Sequence, residues 1–278
     1  MSVLIGRRRL FVASLAAATV LLVLAASAMA SEVVYSNVPA TLAGNYASVG
    51  AEAYSYGEFG TQVELGGTAR NNPQVEVVMS AWACQFGTWF NHTCETPSTK
   101  KFKWPLTLKM YEVGEQNQVG EQLGEVTKSF SMPYRPSEDH VHCPEGGQWY
   151  DATTATCFHG LAFAVKFPTV KVKRLPKRVI LGISYDTSHY GPAPVGEHNE
   201  CNAKSSGCYY DALNVGLAEP SENLLTKGAN PTEPYIEILQ AGAAEETCGN
   251  TADVGKFVPS ECHAFWEGDQ PLFQITTH

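Results

Sequence analysis

LTLKMYEV, residues 106–113, alternates polar and apolar side chains over eight positions and is the clearest strand in the sequence. A period of two is typical of a strand with one buried and one solvated side. Further strands are predicted at residues 62–65, 74–77, 125–131, 161–167, 170–174, 179–186, 212–217, 235–239 and 272–276. Helical periodicity is almost absent after residue 30, so an all-β fold is expected.

Turn-forming residues separate these strands, with Arg70-Asn71-Asn72-Pro73, Pro144-Glu145-Gly146-Gly147 and Gly191-Pro192-Ala193-Pro194 as examples. Ten or so short strands with loops of varied length favour a β-sandwich of two antiparallel sheets. The stretch from Tyr190 to Tyr210 holds two cysteines and no clear strand, which predicts a long, bridged surface loop. Because no internal repeat or low-complexity linker is present, residues 31–278 are predicted to form a single domain.

The first thirty residues have the pattern of a secretory signal peptide. Arg7, Arg8 and Arg9 precede an apolar run from Leu10 to Ala26, and Ala28-Met29-Ala30 fits a signal peptidase site. A retained signal anchor is the alternative, since about seventeen apolar residues could just span a bilayer. The Arg8-Arg9 pair also fits a twin-arginine export signal. The sequence therefore predicts a secreted protein, extracellular or associated with the cell surface.

The charge of the exported chain excludes some classes of partner. Removing thirty of the 278 residues leaves 248, and the loss of the three signal arginines moves the net charge from −9 to −12. An acidic protein repels nucleic-acid phosphates and anionic lipid surfaces, so no nucleic-acid partner is expected. The basic cluster at Lys171, Lys173, Arg174, Lys177 and Arg178 is interpreted as a solvated face. No apolar segment of membrane length recurs after residue 30, so no membrane span is predicted once the signal peptide is removed.

Eight cysteines lie beyond residue 30, an even number that predicts disulfides in an exported chain. They fall into four local pairs, which predicts the bridges Cys84 to Cys94, Cys143 to Cys157, Cys201 to Cys208, and Cys248 to Cys262. A zinc site is the alternative, but zinc sites built on thiolates use spacings such as C-x2-C, which do not occur here. No metal or other cofactor is predicted.

A resemblance covers roughly residues 34–220. Glu58 to Asn71 (EFGTQVELGGTARN), followed by the strand from Val75 to Trp82, resembles the opening of a group of uncharacterised secreted bacterial β-sandwich proteins. Similar segments follow in order: PLTLKMYEV at 105–113, FSMPYRP at 130–136, HGLAFAVKF at 159–167, VILGISYDT at 179–187 and DALNVGL at 211–217. The resemblance implies a jelly-roll-like sandwich outside the cell and no known activity. The tail after about Glu222 departs from the group's pattern.

Aromatic pairs beside the cysteines carry the one binding hypothesis. Its residues are Trp89, Trp149, Tyr150, Tyr209 and Trp266. Rings held on rigid loops can stack on a sugar or on a partner protein. The structural alternative is that each ring packs on its neighbouring disulfide as a small hydrophobic cluster.

Motifs of catalysis and metal binding are weak. No E-x-D-x-x-E, H-E-x-x-H or complete G-x-S-x-G occurs, and no catalytic residue is predicted. His140 and His142 share one side of an extended segment next to Asp139, but a pair of solvated loop histidines is the favoured interpretation over a metal site.

Three functions remain open at this point. The favoured one is a non-catalytic structural or adhesive protein whose partner is an extracellular glycan or a cell-surface component. A carbohydrate-binding module, which requires exposed aromatic rings, and a hydrolase with a dispersed site are the alternatives. Sequence does not define the oligomeric state.

Overall fold

A computed structural model describes residues 31–50, 56–89, 91–185, 213–231, 236–240, 257–259 and 269–278. The chain from Ser31 to His278 forms one compact unit. The described strands are β1 (Glu32–Ser36), β2 (Ser48–Gly50), β3 (Tyr56–Glu64), β4 (Gln74–Ala81), β5 (Lys101–Val113), β6 (Val119–Pro133), β7 (Trp149–Asp151), β8 (Thr156–Phe158), β9 (Leu161–Lys166), β10 (Arg178–Ser184), β11 (Leu213–Ala218), β12 (Ile236–Gln240), β13 (Phe257–Pro259), β14 (Gln270–Pro271) and β15 (Phe273–Thr277). Short 3-10 turns lie at Glu115–Asn117 and Pro220–Glu222.

Two antiparallel sheets build the domain, as the alternating pattern predicts. The first sheet has the order β1-β15-β4-β11-β14, with β2 pairing with β11 and β9 pairing with β4. The second has the order β13-β12-β3-β10-β5-β6, and β7 and β8 form a separate small hairpin. The fold is therefore an all-β sandwich.

The core lies between the two sheets, and alternation along the strands fills it. β5 contributes Leu106, Leu108 and Met110 from the second sheet, and all three are fully buried. Val75, Val77 and Met79 of β4 face them from the first sheet within the same hydrophobic cluster. Burying a side chain of this size contributes roughly 1.5–3 kcal/mol, so the two sheets are held together mainly by this layer.

One predicted strand is wrong, although its burial pattern is right. Val170 and Val172 are buried and Lys171 and Lys173 are exposed, as in a strand. The backbone nevertheless folds back on itself, because the Val172 amide donates to the Val170 carbonyl at 2.9 Å. A hydrogen bond to the second residue back makes a tight turn and not a sheet ladder. All five cations of the basic cluster at residues 171–178 are exposed, which fits the solvated face expected of them.

A buried ion pair crosses the second sheet on the side that faces away from the core. The Glu58 carboxylate on β3 accepts hydrogen bonds from the Lys109 ammonium at 2.7 Å and from the Tyr111 hydroxyl at 2.8 Å. The Glu58 side chain passes over Gly182 of β10, where a Cβ atom would collide with the Glu58 carboxylate. Burial and the nearby Glu58 charge raise the pKa of Tyr111, so its hydroxyl stays a donor.

Disulfides join the cysteines of the two predicted pairs that the described residues include. Cys84 bonds to Cys94 and Cys143 bonds to Cys157, which confirms these two pairings. Cys201, Cys208, Cys248 and Cys262 lie outside the described residues, as does the Tyr190 to Tyr210 loop. In the described ranges, no helix is long and apolar enough to cross a membrane.

Candidate functional site

The two disulfide-closed loops lie against each other at one end of the sandwich. A Cβ atom on Gly147 of the second loop would lie 2.9 Å from the Trp89 carbonyl oxygen of the first, and the Glu138 amide, just before the second loop, donates to the Cys94 carbonyl at 3.0 Å. The loop between Cys143 and Cys157 carries the β7–β8 hairpin, in which Tyr150 pairs with Cys157. These contacts place the aromatic residues of both loops next to the end of β4.

Three aromatic rings in contact with one another form the centre of this region, those of Trp82, Trp89 and His159. The Trp82 and His159 rings are nearly parallel, with 5.6 Å between centroids and 7° between planes. Trp89 meets both of them edge-on, at 4.9 Å from Trp82 and 5.4 Å from His159. Sheet register explains the stack, because Ala81 of β4 pairs with Leu161 of β9 and so brings Trp82 and His159 to the same edge.

The tryptophans expected to form exposed platforms are interior residues. Trp89 is 8% exposed and Trp149 is 7% exposed. The Trp149 indole N–H donates to the Gly160 carbonyl at 2.6 Å, and its ring packs on Phe158 at 5.5 Å between centroids. Neither ring is therefore available to stack on a ligand, since Trp89 packs on Trp82 and His159 and Trp149 packs on Phe158. They support the site from behind.

Tyr150 lies apart from that stack. It is partly exposed, and its ring stacks on His142 with 4.4 Å between centroids and 13° between planes. Tyr209 and Trp266 lie outside the described residues. The structure thus does not bring Tyr150 together with Trp89 and Trp149.

An open groove of about 360 Å³ lies beside the ring stack. Its described lining consists of Ala43, Asn45, Tyr46, Ala47, Trp82, Cys157, Phe158, His159 and Glu222. One wall is the segment before β2, and the opposite wall is the corner between β8 and β9. The first wall is held by the Gly44 carbonyl, which accepts a hydrogen bond from the Ala162 amide at 2.9 Å.

Each polar side chain described next makes one hydrogen bond within the protein, and Asn45 and Glu222 each keep a second polar atom that can bond to a ligand. The Asn45 carbonyl oxygen accepts from the Ser80 hydroxyl at 2.6 Å, so its amide nitrogen keeps its N–H donors. One Glu222 oxygen accepts from the Glu219 amide at 2.8 Å, which leaves the second oxygen. The Tyr46 hydroxyl accepts from the Ala43 amide at 3.2 Å, which fixes the position of this ring.

His159 is held as a neutral ring of defined tautomer. Its Nδ1 lies 3.0 Å from the Gly147 carbonyl, an acceptor only, so Nδ1 carries the proton and Nε2 is an acceptor. Burial lowers the pKa of His159, although the bond to Gly147 opposes that shift. At neutral pH the groove therefore has an uncharged imidazole in its wall.

Carboxylates surround the Glu222 side of the groove. Asp269 is 6% exposed, and burial together with the charges of Glu219 and Glu222 raises its pKa to about 6. Burial is the larger cause of this shift, and the two neighbouring charges add to it, so three carboxyl groups lie near one another at this edge. Lysine and arginine are absent from the described lining residues.

His140 and His142 have separate partners. His142 Nδ1 lies 2.8 Å from an Asp139 oxygen, and backbone hydrogen bonds from residues 141 and 142 help to lower the pKa of Asp139. His140 instead faces the buried Glu138 carboxylate, with 3.5 Å from Nε2 to Oε2. Within the part of the chain that the structure describes, no three His, Cys, Asp or Glu side chains are grouped so as to hold a metal ion.

The groove residues themselves were not predicted. Asn45 and Tyr46 lie in a segment without strand or motif signal, and Glu222 lies in a short turn. Trp82 and His159 could have been found, because both stand at the ends of segments that carry the resemblance, Val75 to Trp82 and His159 to Phe167. Their proximity follows only from the pairing of β4 with β9.

Comparisons with known proteins add no further constraint. The chain matches no protein family, no curated protein and no solved structure. The resemblance to uncharacterised secreted bacterial proteins stays a prediction, and function has to be argued from the groove.

Proposed function

We propose that this protein is a non-catalytic binding module that acts outside the cell and holds a sugar ring of a glycan or cell-surface component in the groove. The observation that carries the proposal is the lining, in which the partly exposed rings of Tyr46 and Phe158 occur together with the polar side chains of Asn45 and Glu222. Aromatic faces accept the apolar C–H side of a sugar, and a few fixed polar groups orient its hydroxyls. An adhesive role is the simplest use of such a site.

The composition of the groove favours binding over hydrolysis. Most glycosidases need two carboxyl groups, one on each side of the scissile bond. Glu222 carries the one carboxylate among the described lining residues, and Cys157 of the lining is bonded to Cys143. The described lining thus holds neither a carboxylate pair nor a free thiol nucleophile.

An extracellular location is supported by the disulfides and by the predicted signal peptide. Disulfides persist in oxidising compartments and are rare in the cytosol. The acidic net charge of −9 over the whole chain favours neutral or cationic partners over nucleic acids.

The proposal is tested by applying the exported protein to an array of glycans and cell-wall fragments and measuring affinities for its hits by calorimetry. Tyr46→Ala and Phe158→Ala remove groove walls and should weaken binding at least tenfold, since stacking rings dominate such sites. Phe86→Ala is the matched control, because Phe86 is 58% exposed and does not belong to the groove lining. If no glycan binds, or if Phe86→Ala weakens binding as much as the groove variants do, the proposal is wrong.

A further inference from the structure

Building on the proposed groove, we infer that its ligand carries a positively charged amine, either the ammonium of an amino sugar or a quaternary ammonium group. The groove combines aromatic walls with a carboxylate edge and presents no lysine or arginine among its described lining residues. The carboxylate and the absence of lysine and arginine favour a positively charged ligand, whereas a groove for neutral sugars needs the aromatic walls but neither of these two features.

The aromatic walls supply the first half of the argument. Tyr46 and Phe158 are partly exposed and line the groove from different segments of the chain, before β2 and in β8, whereas Trp82 contributes a buried part of the wall. Aromatic rings beside one cavity attract a cation through their quadrupoles. Recognition of ammonium groups commonly uses this arrangement.

The carboxylate edge supplies the second half. The Glu222 side chain is held in place because one of its oxygens accepts a hydrogen bond from the Glu219 amide at 2.8 Å, at the start of the Pro220–Glu222 turn. Glu219 and Glu222 both act on the buried Asp269. The negative charge is thus concentrated around Glu222 of the groove lining, and a bound cation would offset it.

The hydrogen-bonding groups of the lining agree with a donor-rich ligand. His159 has committed its only proton to the Gly147 carbonyl and can only accept at Nε2. Glu222 also accepts only. The ammonium of an amino sugar brings N–H donors and no acceptors, so it satisfies both side chains, and Asn45 keeps its N–H donors for one hydroxyl of the sugar. A quaternary ammonium group has no N–H and would be held only by the Glu222 charge and the aromatic rings.

The test compares ligand pairs that differ in charge at nearly constant shape. Glucosamine is compared with glucose, and choline with its neutral carbon isostere 3,3-dimethylbutan-1-ol, by calorimetry at pH 7 and low salt on the exported protein. We expect the charged member of at least one pair to bind at least tenfold tighter, with an affinity that falls as NaCl is added. Preference within the sugar pair indicates an amino sugar, and preference within the second pair alone indicates a quaternary ammonium group.

Glu222→Gln tests the assignment of the charge. The variant keeps an oxygen that can accept from the Glu219 amide but loses the charge, so the ratio of charged to neutral affinity should fall at least fivefold. Glu145→Gln, an exposed carboxylate outside the groove lining, should leave that ratio unchanged. Unfolding curves confirm that both variants fold.

Two results would overturn the inference, and only one of them would also overturn the proposal that the groove binds a sugar. If neutral and charged members bind equally and Tyr46→Ala abolishes both, the groove binds sugars and the charge preference is wrong. If neither pair binds and the glycan array is also blank, the groove proposal and the amine inference fail together.

Discussion

Gly160 is a residue at which the ring cluster leaves no room for a side chain. A Cβ atom there would lie 2.3 Å from the Ser80 hydroxyl, 2.7 Å from the Trp82 indole nitrogen and 2.9 Å from the Asn45 amide nitrogen. We expect Gly160→Ala to lower the free energy of unfolding by about 1–3 kcal/mol, as overpacking in a rigid site does. Urea unfolding followed by tryptophan fluorescence measures both the loss and any disturbance of Trp82.

Gly66→Ala is the control for that substitution. The nearest atom to a Cβ at Gly66 is 3.3 Å away, so the change should cost under about 1 kcal/mol. Equal losses for the two variants would mean that the ring cluster yields easily and that Gly160 is not a steric requirement.

Asp269 is the residue whose ionisation should make stability depend on pH. Because its folded pKa is raised to about 6, the native state binds more protons than the unfolded state below that value, and stability increases as the pH falls through it. Asp269→Asn should therefore stabilise the protein at pH 8, by on the order of 1–2 kcal/mol after allowance for solvent screening, and have little effect at pH 4. Urea unfolding at both pH values measures the difference.

Asp151 is the matched comparison, because its pKa is shifted in the opposite direction from that of Asp269. It accepts hydrogen bonds from the Thr153 hydroxyl at 2.6 Å and from the Thr153 amide at 2.9 Å, and these bonds lower its pKa. Its contribution is present at neutral pH and lost in acid, so Asp151→Asn should destabilise at pH 8. If Asp269→Asn also destabilised at pH 8, its carboxylate would be making a favourable contact and the negative edge of the groove would be in doubt.

The β7–β8 hairpin is the element that depends most on a disulfide. It has three residues in each strand and joins neither large sheet. Two-stranded hairpins are marginally stable in water, so the Cys143 to Cys157 bond has to hold it. Replacing both cysteines with alanine should cost about 3 kcal/mol, the expectation for a closed loop of about 15 residues, and should weaken groove binding because Phe158 is released.

The Cys84 to Cys94 bond is the matched comparison for this element. Its loop spans 10 residues against 14, and loop entropy depends only logarithmically on length. Its double alanine variant should therefore lose a similar amount of stability by urea unfolding. Unchanged stability and unchanged glycan binding in the Cys143, Cys157 variant would show that side-chain packing alone fixes the hairpin.

Strands are predictable from sequence where one side is buried and the other is wet. Residues 106–113 lie inside β5, and the predicted segments at 74–77 and 125–131 lie inside β4 and β6. The segment at 170–174 fails because its backbone turns back at Val172, although burial alternates along it. β1 was missed, since its Val33-Val34-Tyr35 core carries no alternation. Alternation reports which side chains are buried, while sheet pairing depends on residues far away in the sequence.

The groove was less predictable than the strands, for a related reason. Local cysteine spacing was enough to pair Cys84 with Cys94 and Cys143 with Cys157. The aromatic residues next to those cysteines are the predicted binding residues, yet Trp89 and Trp149 are buried. The lining comes from residues 43–47, 82, 157–159 and 222, which only the folded sheets bring together.

At the scale of the whole molecule, export is the prediction with the widest consequences. A bacterial host expressing the full chain should release a protein that begins at Ser31, because cleavage after Ala28-Met29-Ala30 removes the apolar run. Intact mass and N-terminal sequencing measure the cleavage. Thiol labelling under denaturing conditions should find no free cysteine if all eight are paired as predicted.

The double substitution Arg8→Lys with Arg9→Lys distinguishes the ordinary secretory route from the twin-arginine route. Lysines keep the positive charge that the ordinary secretory route needs, whereas the twin-arginine route reads the arginine pair itself. We expect the variant to be exported and cleaved as before, since Arg7 stands where the twin-arginine motif usually has Ser or Thr and the apolar run is rich in leucine. Loss of export in the variant would assign the twin-arginine route, and the protein would then cross the membrane already folded. An uncleaved, membrane-bound product from the unaltered chain would instead identify residues 1–30 as an anchor, and the groove would then act while tethered to the cell.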